Sequence, residues 1–148
     1  MMVAVDDMNQ RILKLLRMDG KMTYREIASK LRRSPSTVRD RIRRMEDHDV
    51  ILGYAAIVNS EQMGMQADAI ILANTSDGVT AKDLRKLQGI EGVVEVLLIS
   101  GRKRVMIRLH ALDNRAIDDI IANQLIPIGL EAVEVRIVLE SVIRFPGI

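Results

Sequence analysis

Cysteine and tryptophan are both absent from this chain, and the lack of cysteine alone removes disulfide scaffolds, thiolate metal sites and thiol nucleophiles. Aromatic residues are nearly missing too. Tyr24, Tyr54 and Phe145 cannot make the stacking platform that holds single-stranded nucleic acid. Histidine is limited to His48 and His110, far apart and outside any spacing such as HExxH, so each reads as an ordinary surface or strand-edge residue. Neither a metal nor a cofactor is expected. No apolar run approaches the ~18 residues of a membrane helix. Asp6 and Asp7 stand where a signal peptide would be basic and then apolar. These absences point to a cytoplasmic protein with no membrane partner.

With 148 residues, 48% hydrophobic and 28% charged, the chain is long enough for one large domain or two small ones with a buried core. Its formal charge of +2 hides an asymmetry, because residues 1–53 carry a net +4 and residues 54–148 a net −2. Between positions 30 and 44 stand seven basic residues, Lys30, Arg32, Arg33, Arg39, Arg41, Arg43 and Arg44, against the single acid Asp40. Such a split suggests a polyanion-binding segment joined to a domain with another task.

The spacing predicts three helices in the first half. Asp6 caps a helix bearing Met8, Ile12, Leu15 and Leu16 and ending near Asp19-Gly20. Thr23-Tyr24-Arg25-Glu26 is a capping box that opens a short helix with Ile27, Ala28 and Leu31. Ser34 then caps a third, with Pro35 at its first position, where a missing N–H costs nothing. The apolar residues of that third helix, Val38, Ile42 and Met45, form one narrow stripe and leave a polar, basic face opposite.

A short capped helix, a turn and a basic helix with one apolar stripe make a helix-turn-helix. An α-helix fits the major groove of duplex DNA, and its N-terminal residues reach base edges. Ser36, Thr37, Asp40 and Arg43 are the candidate base contacts, with Arg39 on the same outer face and Ser34 at its head. Thr23 and Arg25, at the start of the second helix, suit phosphates, and Arg32, Arg33 and Arg44 add attraction independent of sequence. Double-stranded DNA is therefore the expected macromolecular partner.

After Gly53 the periodicity changes. Residues 54–58 read as a short strand, 59–64 as a turn or single helical turn, 66–75 as an apolar strand, and 80–87 as a helix capped by Thr80 and Asp83. Residues 93–99 and 104–109 read as strands joined by the turn Ser100-Gly101-Arg102-Lys103. A helix capped by Asp113 and broken at Pro127, then a strand over 132–139, complete the order β-α-β-β-α-β, a ferredoxin-like arrangement. The fold class expected is α+β. Residues 1–53 form a DNA-binding domain, 54–62 a hinge strand or linker, and 63–148 a ferredoxin-like oligomerisation and effector domain.

In the second strand, Val94, Val96 and Leu98 are expected on one side and Leu97 and Ile99 on the other, where Met106 joins Arg104 and Arg108. A half-apolar open sheet face implies an identical partner.

These residues also resemble the Lrp/AsnC family of feast/famine transcriptional regulators, over essentially the whole chain. The stretches that carry the resemblance are Arg11-Ile12-Leu13-Lys14-Leu15-Leu16, Glu26-Ile27-Ala28 to Leu31, Ser34-Pro35-Ser36-Thr37-Val38-Arg39-Asp40-Arg41-Ile42, Val50-Ile51 to Tyr54, Met63-Gly64, Ser100-Gly101 and Ile137-Val138-Leu139. The resemblance implies a DNA-binding head, a strand-like hinge, a C-terminal domain that makes homodimers and often octamers, and amino-acid effectors held between subunits.

Departures from that pattern shape the expectation. The family's usual Gly-x-Tyr-Asp turn, whose Asp helps place the effector, reads Gly101-Arg102-Lys103-Arg104 here. Two usual threonines of the last strand are Val133 and Val135, the helix-turn-helix turn is Arg32-Arg33, and Asp49 replaces a helix-terminating glycine. Ser100, Gly101, Arg102 and Arg104 are the candidate effector contacts, for a ligand other than the usual zwitterionic amino acid. Glu95 is placed to neutralise Arg104 or Arg108.

A non-enzymatic regulator is thus expected. An architectural DNA-binding protein without an effector is the nearest alternative. A tetrapyrrole-pathway decarboxylase of the same two-domain plan is the other, and it would need groups that His48 and His110 do not supply.

Overall fold

The computed structural model describes residues 6–143; residues 1–5 and 144–148, Phe145 among them, lie outside that range. The chain divides into two compact units, one ending at Ile57 and the other beginning at Val58.

Three helices make the first unit: α1 (Asp7–Met18), α2 (Tyr24–Leu31) and α3 (Pro35–Asp47). Each starts at a side chain that accepts an otherwise unpaired amide of the first turn. Asp6 accepts the N–H of Asn9, Thr23 that of Glu26 and Ser34 that of Thr37. Ile12, Ile27, Ala28, Val38, Ile42 and Met45 close over one another as the core. The α2–α3 turn puts Arg32 in the left-handed region at φ 52°, a range that favours glycine, and Arg33 returns its N–H to the carbonyl of Ala28 at 2.9 Å. Asp49 likewise takes φ 56°, which lets the amides of Val50 and Ile51 come back to the carbonyl of Met45 at 2.8 and 3.0 Å and end α3.

Residues 54–58, expected as a strand, form none. A strand exists only as part of a ladder, and no described segment pairs with this one.

The second unit is an antiparallel sheet in the order β2-β3-β1-β4, from β1 (Ala67–Thr75), β2 (Val93–Leu98), β3 (Val105–Ala111) and β4 (Leu130–Ile137). Its crossovers carry α4 (Ala81–Leu84), tightening into a 3-10 turn over Arg85–Gly89, and α5 (Asn114–Ile120), widening into a π turn over Ile121–Leu125. Pro127 lacks the N–H that would continue α5, so the helix relaxes there and stops. The core lies between one sheet face, with Ala69, Ile71, Val105, Ile107 and Leu109, and the helical residues Leu84, Leu87, Ile117 and Leu125.

One expected face is corrected. A register shift between Val93 and Glu95 inserts an extra residue into β2. Val93 and Val96 therefore pack on the core, whereas Val94, expected beside Val96, is 56% exposed. On the opposite face the cross-strand rows read Leu97, Met106, Leu72, Glu134 and then Glu95, Arg108, Ile70, Arg136. Apolar and charged side chains thus alternate on the uncovered face.

Candidate DNA-reading helix and effector turn

The outer face of α3 presents Ser36, Thr37, Arg39, Asp40, Arg43 and Arg44, all exposed. At its head the hydroxyls gather: Ser34 Oγ lies 2.7 Å from Thr37 Oγ1 and 3.0 Å from Ser36 Oγ, and it accepts the Thr37 N–H at 3.2 Å. Ser34 is thereby committed to capping. Thr23 is held in the same way, its N–H and hydroxyl both donating to Glu26 Oε2 at 2.7 and 2.8 Å. These bonds, with the Thr23 amide foremost, hold the Glu26 carboxyl below its ordinary value. Asp40 meets Arg39 at 3.5 Å, a loose surface pair. Among the described residues no ion pair engages Arg25, Arg43 or Arg44, so their charges stand open to a polyanion.

Two groups brace α3. Tyr54 donates its hydroxyl to Glu46 Oε1 at 2.8 Å, and desolvation together with that bond pushes the phenol up to about 12. Arg41, half-hidden on the flank of the apolar stripe, reaches Asp6 and Asn9 at the start of α1, with Nη1 at 2.6 and 3.0 Å. These partners lie 35 and 32 positions away in the sequence, beyond the reach of local spacing, which marks Arg41 only as one more basic residue.

In the second unit the β2–β3 turn brings Ser100, Gly101, Arg102 and Arg104 together. The Ile99 N–H bonds the Arg104 carbonyl at 2.9 Å, and Gly101 takes φ 113°, the left-handed range that suits glycine. The Arg104 amide is fixed by the Ala73 carbonyl at 3.0 Å and Asn74 Oδ1 at 3.2 Å. The three cations of the turn are unequal. Lys103 folds back onto β4, where its ammonium bonds the Ala132 carbonyl and meets Glu134 Oε1 at 3.3 Å. Arg102 and Arg104 are exposed and make no ion pair among the described residues. Val133 packs on the core and Val135 lies opposite Ile71.

Glu95 does stand opposite Arg108, but the fork of Arg108 closes on Asp68, with Nε at 3.2 Å from Oδ1 and Nη2 at 2.7 Å from Oδ2. That pairing raises the Arg108 value further. Asp68 also lies 3.4 Å from His110 Nε2, whose Nδ1 is 2.9 Å from Ser60 Oγ. His110, read from the sequence as an ordinary strand-edge residue, is therefore a member of a four-residue polar chain on the uncovered face. The signal available was Asp68 itself, a lone acid inside an apolar strand. Elsewhere, between α4 and the β2 edge, lies a cleft of about 360 Å³ lined by Leu84, Arg85, Val94 and Glu95 among others.

A three-helix head with an open basic recognition helix, followed by a ferredoxin-like domain, defines a class of helix-turn-helix transcriptional regulators. Residues 5–46 match the model of the AsnC-type helix-turn-helix domain and residues 68–148 that of the Lrp/AsnC ligand-binding domain. The transcriptional regulator FL11 of Pyrococcus abyssi is 31% identical over 144 residues, 95% of this chain and 93% of that protein. LrpA of Mycobacterium tuberculosis is 29% identical over 119 residues, 80% of this chain and 79% of that one. Among solved structures, the feast/famine regulatory protein of M. tuberculosis complexed with L-methionine superposes with TM-score 0.89 at 24% identity, covering 97% of each chain. E. coli AsnC does so at 0.83 and 24%, covering 96% of this chain and 97% of its own. The chain belongs to the Lrp/AsnC family of transcriptional regulators. No helix among the described residues is long and apolar enough to cross a membrane.

Proposed function

We propose that α3 reads duplex DNA through Ser36, Thr37, Asp40 and Arg43, while Arg25, Arg39 and Arg44 bind phosphates and Thr23 and Ser34, as caps, hold the N-terminal turns of α2 and α3 against the duplex. The observation that carries this reading is the open charge of Arg43 and Arg44 on a face whose opposite stripe is buried. Residues 1–53 act as the DNA-binding domain, 54–62 as the linker and 63–148 as the oligomerisation and effector domain. The division of the chain between Ile57 and Val58 supports that assignment. The protein works in the cytoplasm, without catalysis, as a homodimer or a higher assembly up to an octamer. Two-fold symmetry sets its half-sites about one helical turn, ~34 Å, apart. A duplex series with half-site spacing varied in single base pairs tests this: affinity should peak at one helical period and fall between periods.

The effector domain takes a small molecule at Ser100, Gly101, Arg102 and Arg104, other than a zwitterionic amino acid held by the usual contacts. The guanidiniums of Arg102 and Arg104, exposed and without an ion pair among the described residues, support that reading.

A further inference from the structure

We infer that Arg41 is a positioning residue for DNA reading: clasped by Asp6 and Asn9, it fixes the rotation of the recognition helix against α1 instead of touching DNA. The inference rests on α3 being the reading helix.

Position 41 lies on the flank of the stripe formed by Val38, Ile42 and Met45, and its guanidinium turns toward the first turn of α1. A narrow apolar stripe alone specifies this helix poorly, because aliphatic side chains slide over one another with little directional preference. A directional contact supplies what the stripe lacks. Arg41 Nη1 is 2.6 Å from Asp6 Oδ2 and 3.0 Å from Asn9 Oδ1. Its two partners are themselves fixed. Asp6 Oδ1 accepts the Asn9 N–H at 2.8 Å as the α1 cap, and Asn9 is the one buried polar residue of the described chain, 4% exposed. The Asp6 carboxyl is held below its ordinary value, first by the Asn9 amide and then by Arg41, so it faces the guanidinium as a carboxylate at neutral pH.

Arg43, two residues on, has to bring its fork onto a base edge, and such contacts tolerate only about 0.5 Å of misplacement. Rotation of α3 about its own axis moves the tip of a long side chain more than any backbone atom, so the clasp controls the contact that needs the most accuracy. A cation already bound to a carboxylate and an amide is also a poor phosphate ligand. Arg41 should therefore add nothing to the count of counterions released on binding.

The test uses the full chain and a duplex selected by the wild-type protein from a random pool. Asp6→Asn keeps the α1 cap, since asparagine caps as well as aspartate, but removes the charge. Arg41→Met keeps the aliphatic stem. Each should lower the ratio of selected to random affinity about tenfold or more and leave the dependence of log affinity on log salt unchanged. The double variant should lose no more than either alone, because the two residues act as one. Arg43→Ala, run alongside, reports the reading role of α3 independently. Circular dichroism at the assay temperature establishes that each variant is folded. An unchanged ratio in folded Asp6→Asn would overturn the clasp, as would an Arg41→Met salt slope reduced by about one with equal losses on both duplexes.

Discussion

Across the uncovered sheet face, Arg108 of β3 forks onto Asp68 of β1 at 3.2 and 2.7 Å, and neither side chain is more than 28% exposed. Arg108 sits in a row that also holds Ile70, beside the apolar row of Leu97, Met106 and Leu72, while Asp68 lies opposite His110 on the other side. Leaving that apolar row in water would be costly for a lone domain. An ion pair already satisfied within one chain can be covered by a second copy without stranding a charge.

The full chain should therefore dimerise through this face. Asp68→Asn should weaken the dimer by about 3 kcal/mol or more, because it leaves the Arg108 charge buried without a full partner. Sedimentation velocity at micromolar concentration checks this. A variant as dimeric as the wild type would show that the face stays wet.

Replacing Arg43 by alanine should weaken binding to a selected duplex by roughly 1–3 kcal/mol and relax specificity at one base position. Fluorescence anisotropy on selected and scrambled duplexes separates the possibilities. Equal losses on both would make Arg43 a phosphate contact.

The Asp83 carboxyl accepts from the Thr80 N–H at 3.0 Å and from Lys86, and these bonds, the Thr80 amide foremost, lower its value to about 2. A folded value below the ordinary 3.8 means that this cap contributes stability above that pH, and that the contribution fades as pH falls through about 2. Asp83→Asn should thus be less stable than the wild type at pH 5, with the gap closing by pH 2. Urea melts across that range measure the gap, and a constant gap would contradict the assignment.

Arg32 occupies the left-handed region, which costs a side-chain residue about 1–2 kcal/mol and glycine little. Arg32→Gly should raise the stability of the first unit by roughly 0.5–1 kcal/mol after glycine's own entropy cost. It should also weaken binding to random DNA by removing one cation. Native-state hydrogen exchange of the Ile27 and Ile42 amides reads the first effect, and slower exchange is the expected result.

At the β2–β3 turn, an ammonium brought ~4 Å from Arg104 would meet repulsion of up to about 4 kcal/mol before screening. Leucine, lysine and glutamine should accordingly give no millimolar binding by calorimetry. Clear heats that vanish in Gly101→Val would show that the departures from the family turn are harmless.

What the sequence made legible was local. The caps at Asp6, Thr23, Ser34 and Asp113 each join residues three apart, so the spacing alone located five of the structure's boundaries with the Thr80–Asp83 box. The alternation in β3 and the stripe of α3 were equally visible, because their periods repeat. Hidden from it were features set by register or by distant partners. The extra residue in β2 shifted Val94 outward, Arg41 found a partner 35 residues away, and Arg108 found one 40 away. Lys103 differs from Arg102 and Arg104 only through β4, whose Glu134 lies 3.3 Å from its ammonium and 31 positions along the chain. Residues 54–58 had strand-like composition, but composition cannot supply the neighbour a ladder needs.

The central claim, sequence-specific reading by α3, is tested most directly by salt-dependent titration of the full chain on its selected duplex and on random DNA. The selected duplex should bind about a thousandfold or more tighter at physiological salt, and the advantage should persist as salt rises. Equal affinities with one common salt slope would contradict it and leave a protein that coats DNA without reading it.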